Sequence, residues 1–170
     1  MIVDLINLEK STLDLDFSFA PETIELDADS IKAKSPIELK GKLTKGIVET
    51  KIEGEIAVVV EIECTRCLQT VEQKLQIPFK SGFVAAEHYT AAKDAELQED
   101  DLDVTVFEGD RIDLNELVRE QILLALPEQV FCQENCQGLC EKCGANKNLI
   151  DCKCIEKEID PRWSALEKFK

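Results

Sequence analysis

The chain is poor in aromatic residues, in histidine, in positive charge and in long apolar runs. Aromatic side chains make up 5% of its 170 residues, few for a protein that binds nucleic acid by base stacking. The net charge of −15 argues against non-specific binding to polyanions. The longest apolar runs, Ile56–Val60 and Ile122–Leu126, span five residues, whereas a membrane helix needs roughly 20. Met1–Asp4 lacks the features of a signal peptide, so we expect a cytoplasmic protein without a membrane partner.

Recognisable catalytic constellations are also missing from the sequence. The single histidine, His88, stands in a predicted loop, and the abundant carboxylates show no defined pairing. There is no glycine-rich phosphate loop and no nucleophile elbow. We therefore predict that the protein is not an enzyme, and no small-molecule substrate is evident.

Charge divides the chain near residue 130. Residues 1–130 carry 28 acidic and 13 basic residues, whereas residues 131–170 carry seven of each and six of the eight cysteines. We predict an acidic β-rich domain over 1–130 and a cysteine-rich appendage over 131–170. Within the first part, residues 31–52 contain six lysines and two glutamates. Residues Asp94–Asp103 contain six carboxylates, which predicts a solvated loop.

Period-2 alternation of apolar residues predicts several strands. The alternating segments are 13–19, 37–43, 56–64, 71–79 and 102–106. A helix is predicted over 113–126, with Asp113 as its N-cap and Pro127 beyond its end. A short helix beginning at Asp160-Pro161 is predicted near the C-terminus. The fold class is therefore α+β, with a small antiparallel β-sheet or barrel domain, a packed helix and a zinc-knuckle-like tail ending in a short helix.

The cysteines of the tail have the spacing of metal ligands. Zinc binds four thiolates in a tetrahedron, and Cys140-Glu-Lys-Cys143-Gly144 forms a turn that lets two sulfurs face one ion. A bound ion would also supply the core that this short, polar tail lacks. We predict one zinc ion, and the spacing leaves open which four of six cysteines hold it. The six candidates are Cys132, Cys136, Cys140, Cys143, Cys152 and Cys154.

Cys64-Thr-Arg-Cys67 has three interpretations. It could be a second metal half-site that contacts spare tail cysteines, a structural turn that displays Arg66, or a redox pair. A redox C-x-x-C normally precedes a helix whose N-terminus lowers a thiol pKa. The residues after Cys67 look like a strand instead, which disfavours redox chemistry.

Several short motifs occur in a specific order along the chain. They are Glu63–Leu68, Glu120–Pro127, Cys136–Gly144, Asn146–Leu149, and Cys152–Cys154 followed by Asp160–Arg162. Together they resemble the bacterial YceD family, the large ribosomal RNA subunit accumulation proteins, over about residues 35–170. The chain departs from the family pattern at Glu141, where proline is usual, and at Lys147, where leucine is more common.

The resemblance implies a role in making or protecting the precursor of large-subunit ribosomal RNA. We expect a non-enzymatic ribosome-biogenesis factor that binds either this RNA or a basic ribosomal protein, and the acidic charge favours the protein. If RNA is the direct partner, the candidate contacts are Lys40, Lys42, Lys45 and Arg66. The alternatives are a zinc-stabilised adaptor without RNA contact and a thiol or redox protein that uses Cys64 and Cys67.

Overall fold

The computed structural model describes residues 1–6, 8, 11–26, 31–86, 104–107, 109, 111–154 and 162. Outside the described residues lie the predicted acidic loop Asp94–Asp103, His88 and, apart from Arg162, the predicted helix from Asp160. The strands are β1 (Ile2–Asp4), β2 (Thr12–Phe19), β3 (Ile31–Ala33), β4 (Ile37–Lys45), β5 (Glu49–Glu63), β6 (Thr70–Ala85), β7 (Val104–Phe107) and β8 (Arg111–Asp113). A 3-10 turn spans Pro21–Thr23 and an α-helix, α1, spans Leu114–Ala125.

The described strands form two open sheets. Strands β1 and β8 pair with each other, and the larger sheet has the order β2-β4-β5-β6-β7, with β3 on the same side of β5 as β4. The prediction of a barrel is therefore wrong, because the order ends at two separate edges. The predicted antiparallel pairing is confirmed for the described strands except β6 and β7, which run parallel. The chain from Ala85 to Val104 has the dozen or more residues that a parallel connection requires.

A long hairpin of β5 and β6 dominates the larger sheet. Its strands have 15 and 16 residues and stay in register from Glu49 opposite Val84 to Glu63 opposite Thr70. Every second residue of β5 faces the core, and Ile52, Ile56 and Val60 are completely buried. The hairpin ends in a turn over residues 64–69, which we call the hairpin tip.

The helix α1 begins and ends close to its predicted bounds of 113–126. The Asp113 side chain accepts a hydrogen bond from the Asn115 amide at 2.9 Å and caps the first turn. Leu126 is extended, as expected of a residue before proline. The buried side chains of α1 belong to the same hydrophobic core as those of β4 and β5; they are Leu114, Leu117, Val118 and Ile122. Among the described residues, no helix is long and apolar enough to cross a membrane.

Candidate metal centres

The eight cysteines gather into two groups of four. The first, the hairpin cluster, joins the hairpin tip to the start of the tail and consists of Cys64, Cys67, Cys132 and Cys136. The second, the tail cluster, consists of Cys140, Cys143, Cys152 and Cys154. Within each cluster the four Sγ atoms lie within 4.8 Å of one another. Each cluster could therefore hold one metal ion.

The sulfur spacing in the hairpin cluster fits a tetrahedral ion. The Sγ atoms of Cys64 and Cys136 are 3.8 Å apart, and those of Cys67 and Cys132 are 3.5 Å apart. A disulfide bond would bring two sulfurs to about 2.05 Å, and all eight cysteines are free thiols. A zinc ion with Zn–S bonds of about 2.3 Å separates its sulfurs by about 3.8 Å, the edge of the tetrahedron. The observed distances therefore match coordination and are longer than a disulfide bond.

The hairpin tip folds into a tight turn around Cys64. The Leu68 amide donates to the Cys64 carbonyl at 2.9 Å, and the Cys64 amide donates to the Gln69 carbonyl at 2.8 Å. Leu68 has a φ of 57°, a left-handed conformation that costs a side-chain-bearing residue energy. The amides of Arg66 and Cys67 form hydrogen bonds to the Cys64 sulfur. The turn thus surrounds one thiol with N–H donors.

The turn at Cys140 repeats this arrangement in the tail. The Gly144 amide donates to the Cys140 carbonyl and the Cys140 amide donates to the Ala145 carbonyl, both at 2.8 Å. Gly144 has a φ of 71° and so supplies the left-handed residue. The amides of Lys142 and Cys143 form hydrogen bonds to the Cys140 sulfur. The two C-x-x-C segments are therefore the same local structure.

The tail packs against the hairpin tip through several polar contacts. The Thr65 amide donates to the Val130 carbonyl at 2.8 Å, and the Arg66 guanidinium donates to the Cys136 carbonyl at 3.0 Å. The same guanidinium lies 4.5 Å from the centre of the Phe131 ring, which is cation–π geometry. The Leu139 amide donates to the Arg66 carbonyl at 3.2 Å. These contacts give Arg66 a structural role.

Asn148 orients one thiol of the hairpin cluster from the far side of the tail. Its Nδ2 donates to the Cys136 sulfur at 3.3 Å, while its Oδ1 accepts from the Gln137 amide at 2.8 Å and from Gln133 Nε2 at 3.1 Å. Such outer hydrogen bonds fix the orientation of a metal ligand. No role for Asn148 was predicted from the sequence, although this residue lies in one of the motifs that resemble the YceD family.

The thiols of the hairpin cluster differ strongly in acidity. Burial raises the pKa of Cys64, but backbone hydrogen bonds from Arg66, Cys67 and Cys132 outweigh it and lower the pKa to about 6. Burial and hydrogen bonds to neighbouring thiols raise the pKa of Cys132 to about 12. A hydrogen bond from Asn148 also lowers the pKa of Cys136, so Cys64 and Cys136 lose their protons most readily, whereas ionisation of Cys132 beside them is strongly disfavoured. A cation that binds all four sulfurs must displace the remaining protons.

The thiols of the tail cluster differ in pKa in the same way. Backbone hydrogen bonds from Cys143 and Lys142 lower the pKa of Cys140 to about 6. A hydrogen bond from the Cys143 side chain, together with burial, raises the pKa of Cys154 to about 12. In both clusters, backbone N–H donors favour one thiolate, while burial and hydrogen bonds between thiols raise the pKa of another.

The structure does not bring the four candidate RNA contacts together. Lys40 and Lys42 lie on β4, where Lys42 pairs with Glu53. Arg66 follows the last residue of β5, Glu63. That residue is ten positions along the strand from Glu53, the partner of Lys42. At about 3.3 Å per residue this is a separation of about 33 Å. Lysine side chains and Arg66 therefore do not form one surface.

Carboxylates flank the predicted lysine contacts. Strand register places Lys42 between Asp14 of β2 and Glu53 of β5. In the same way, Lys40 lies between an aspartate and a glutamate, Asp16 and Glu55. Lys45, the third predicted contact, donates through Nζ to the Leu5 carbonyl at 2.6 Å.

Two further lysines of residues 31–52 form ion pairs with glutamates. Lys34 lies 3.0 Å from Glu61 and 2.5 Å from Glu72, and Lys51 lies 3.1 Å from Glu49. Opposite charges this close attract and offset each other. The positive charges of Lys34, Lys40 and Lys42 are therefore offset by carboxylates from outside this segment.

The environment of Cys64 and Cys67 disfavours redox catalysis. The hairpin tip is followed by strand β6, which starts at Thr70, and not by a helix. Cys64 is 0% exposed and Cys67 is 4% exposed. A reactive thiol must be accessible to its substrate, so these buried sulfurs are poorly placed for thiol–disulfide exchange.

Comparison with known proteins identifies the family. The model of the family described as "Large ribosomal RNA subunit accumulation protein YceD" matches residues 52–170. The chain belongs to the YceD family. All eight cysteines, Arg66 and Asn148 lie within the matched residues, whereas Lys40, Lys42 and Lys45 lie outside them. The family description names an accumulation protein and no reaction.

Several curated relatives are similar to most of the chain. The uncharacterized protein YlbN of Bacillus subtilis is 30% identical over 154 residues, which cover 87% of this chain and 85% of YlbN. The uncharacterized protein Rv2926c of Mycobacterium tuberculosis is 27% identical, with coverages of 86% and 68%. The chloroplastic large ribosomal RNA subunit accumulation protein YCED homolog 1 of Arabidopsis thaliana is 23% identical, and the match covers 80% of this chain and 49% of the plant protein. No solved structure matches the chain.

Proposed function

We propose that this protein is a non-enzymatic ribosome-biogenesis factor that supports the synthesis, processing or stability of large-subunit ribosomal RNA. Membership of the YceD family supports this role, because the family and its plant relatives are named for accumulation of that RNA. We further propose that the protein acts in the cytoplasm and that the tail cluster holds one zinc ion, which stabilises the tail.

The direct partner in this proposal is a basic ribosomal protein. The observation that carries it is the arrangement of charge: the chain has a net charge of −15, and carboxylates flank its lysines on β4. An acidic surface attracts a basic protein and repels bare RNA.

Crosslinking in growing cells tests this choice. The tagged full-length protein is crosslinked chemically to proteins and by ultraviolet light to RNA, and both products are sequenced. We expect basic ribosomal proteins in the first sample and no enrichment of large-subunit precursor RNA in the second. Cells depleted of the protein should still lose that RNA.

The competing proposal is direct RNA contact through Lys40, Lys42 and Lys45. Ultraviolet reads concentrated on the precursor, and lost on changing these three lysines to glutamate, would overturn the protein-partner proposal. The matched control reverses Lys74 and Lys80 on β6, which removes positive charge elsewhere on the same sheet. Arg66→Glu is tested separately, because Arg66 also donates to the Cys136 carbonyl.

A further inference from the structure

We propose that the hairpin cluster is a second zinc site, separate from the tail cluster, and that its ion fastens the tail to the hairpin tip. Its four ligands are Cys64, Cys67, Cys132 and Cys136. The site links parts of the chain that are more than 60 residues apart in sequence, as the Cys67–Cys132 sulfur contact spans 65 positions. This site does not depend on the ribosomal role proposed above.

The first support is the identity of the two C-x-x-C turns. Each turn has the same two backbone hydrogen bonds around its first cysteine and a left-handed residue directly after its second cysteine. At the hairpin tip that residue is Leu68, with a φ of 57°. A leucine in this conformation is strained. Two thiolates directed at one cation would compensate for this strain.

The second support is the geometry and burial of the sulfurs. Two sulfur pairs lie at 3.5 and 3.8 Å, close to the edge of a zinc–thiolate tetrahedron. Cys64, Cys67 and Cys136 are at most 4% exposed and form a small core of their own, apart from that of the sheet. The apolar groups packed on this core are few, namely Val71 and Leu139. So small a core gains little from burial alone, and a metal ion would supply the missing stability.

The third support is the set of N–H groups that donate hydrogen bonds to the sulfurs of the hairpin cluster. The Cys136 sulfur accepts a hydrogen bond from Asn148, whose carbonyl oxygen is itself held by Gln133 and Gln137. The Cys64 sulfur accepts hydrogen bonds from backbone amides. N–H donors stabilise thiolates, and hydrogen bonds of this kind orient the ligands around a structural metal.

The clusters differ in their access to solvent. In the hairpin cluster only Cys132 is even partly exposed, whereas Cys143 and Cys154 of the tail cluster are exposed. We therefore expect a chelator to remove the tail ion faster than the ion of the hairpin cluster.

Metal content of the full-length protein tests the proposal. We expect about two zinc ions per chain in wild type. The double variants Cys64→Ser/Cys67→Ser and Cys140→Ser/Cys143→Ser should each retain about one. In the first, the remaining ion should leave quickly to a chromogenic chelator, and in the second it should leave slowly. One ion in wild type, unchanged by the Cys64→Ser/Cys67→Ser substitutions, would overturn the second site.

Cadmium NMR of the wild-type protein tests the proposal even if a cysteine variant fails to fold. Cadmium-loaded wild type should give two separate cadmium NMR resonances in the range of four-thiolate sites. A single resonance of this kind, or a Cys64–Cys67 disulfide found by mass spectrometry of the freshly purified protein, would refute the proposal.

Limited proteolysis tests the fastening role. The segment Pro127–Phe131 joins α1 to the tail, and Val130 accepts a hydrogen bond from Thr65 of the hairpin tip. Loss of the hairpin-cluster ion should expose this segment to cleavage. We expect rapid cutting there in Cys64→Ser/Cys67→Ser and slow cutting in Cys140→Ser/Cys143→Ser. Equal cutting in both variants would show that the ion does not hold the tail.

Discussion

Leu68 bears the clearest local strain in the described part of the chain. It is the one residue other than glycine with a positive φ there, and its side chain is 57% exposed. Its counterpart in the tail turn is Gly144, with a φ of 71°. The two positions offer a matched pair in which backbone strain can be measured with little change in packing.

Replacing Leu68 with glycine should stabilise the protein. Relief of the left-handed strain exceeds the added entropy of the unfolded chain, so the free energy of unfolding should rise by about 0.5–1 kcal/mol. Urea unfolding of the zinc-saturated protein measures this change. The reverse test is Gly144→Ala. A Cβ at this position has no atom within 4 Å, so backbone strain alone should lower the free energy of unfolding by about 1 kcal/mol. A less stable Leu68→Gly protein would contradict the strain argument.

At the scale of elements, α1 shows how far a sequence pattern determines structure. The predicted bounds 113–126 differ by one residue at each end from the observed Leu114–Ala125, because the cap and the proline act locally. Strand positions were likewise predicted from alternation, since period-2 burial is a local property of β-strands. The pairing of the strands could not be predicted in this way, and β7 pairs in parallel with β6.

The two faces of α1 should respond differently to truncation. Ile122 is 0% exposed and belongs to the core, whereas Leu124 is 79% exposed. Ile122→Ala should lower the free energy of unfolding by about 3 kcal/mol through lost burial and a cavity. Leu124→Ala should change it by less than about 0.5 kcal/mol. Thermal or urea unfolding compares the two, and equal effects would show that α1 does not pack as described.

For the whole molecule, the dominant property is its negative charge. Ion pairs such as Lys34–Glu72 and the carboxylates that flank Lys42 leave little free positive surface on β3 and β4. In the proposed function, long-range electrostatic attraction selects a basic partner, and such attraction between exposed charges is screened over about 10 Å at 0.1 M salt.

Binding to a basic ribosomal partner should therefore weaken as salt rises. We expect the affinity to fall roughly tenfold between about 50 and about 300 mM salt, mainly through slower association. Calorimetry or surface-based kinetics with the crosslinked partner measures the effect. A salt-independent affinity would indicate an apolar interface instead.

Local properties could be predicted from the sequence alone: the period-2 strands, the cap and end of α1, the uneven charge and the ordered motifs of the YceD family. The sequence also indicated metal-ligand spacing in the tail, because a C-x-x-C turn needs only neighbouring residues. Tertiary structure decided which thiols share a cluster, since the long β5–β6 register carries Cys64 and Cys67 to Cys132 and Cys136. It likewise decided that carboxylates surround Lys40 and Lys42, as the pairing of β2, β4 and β5 sets these neighbours. Both outcomes depend on contacts between distant residues, which spacing along the chain does not encode.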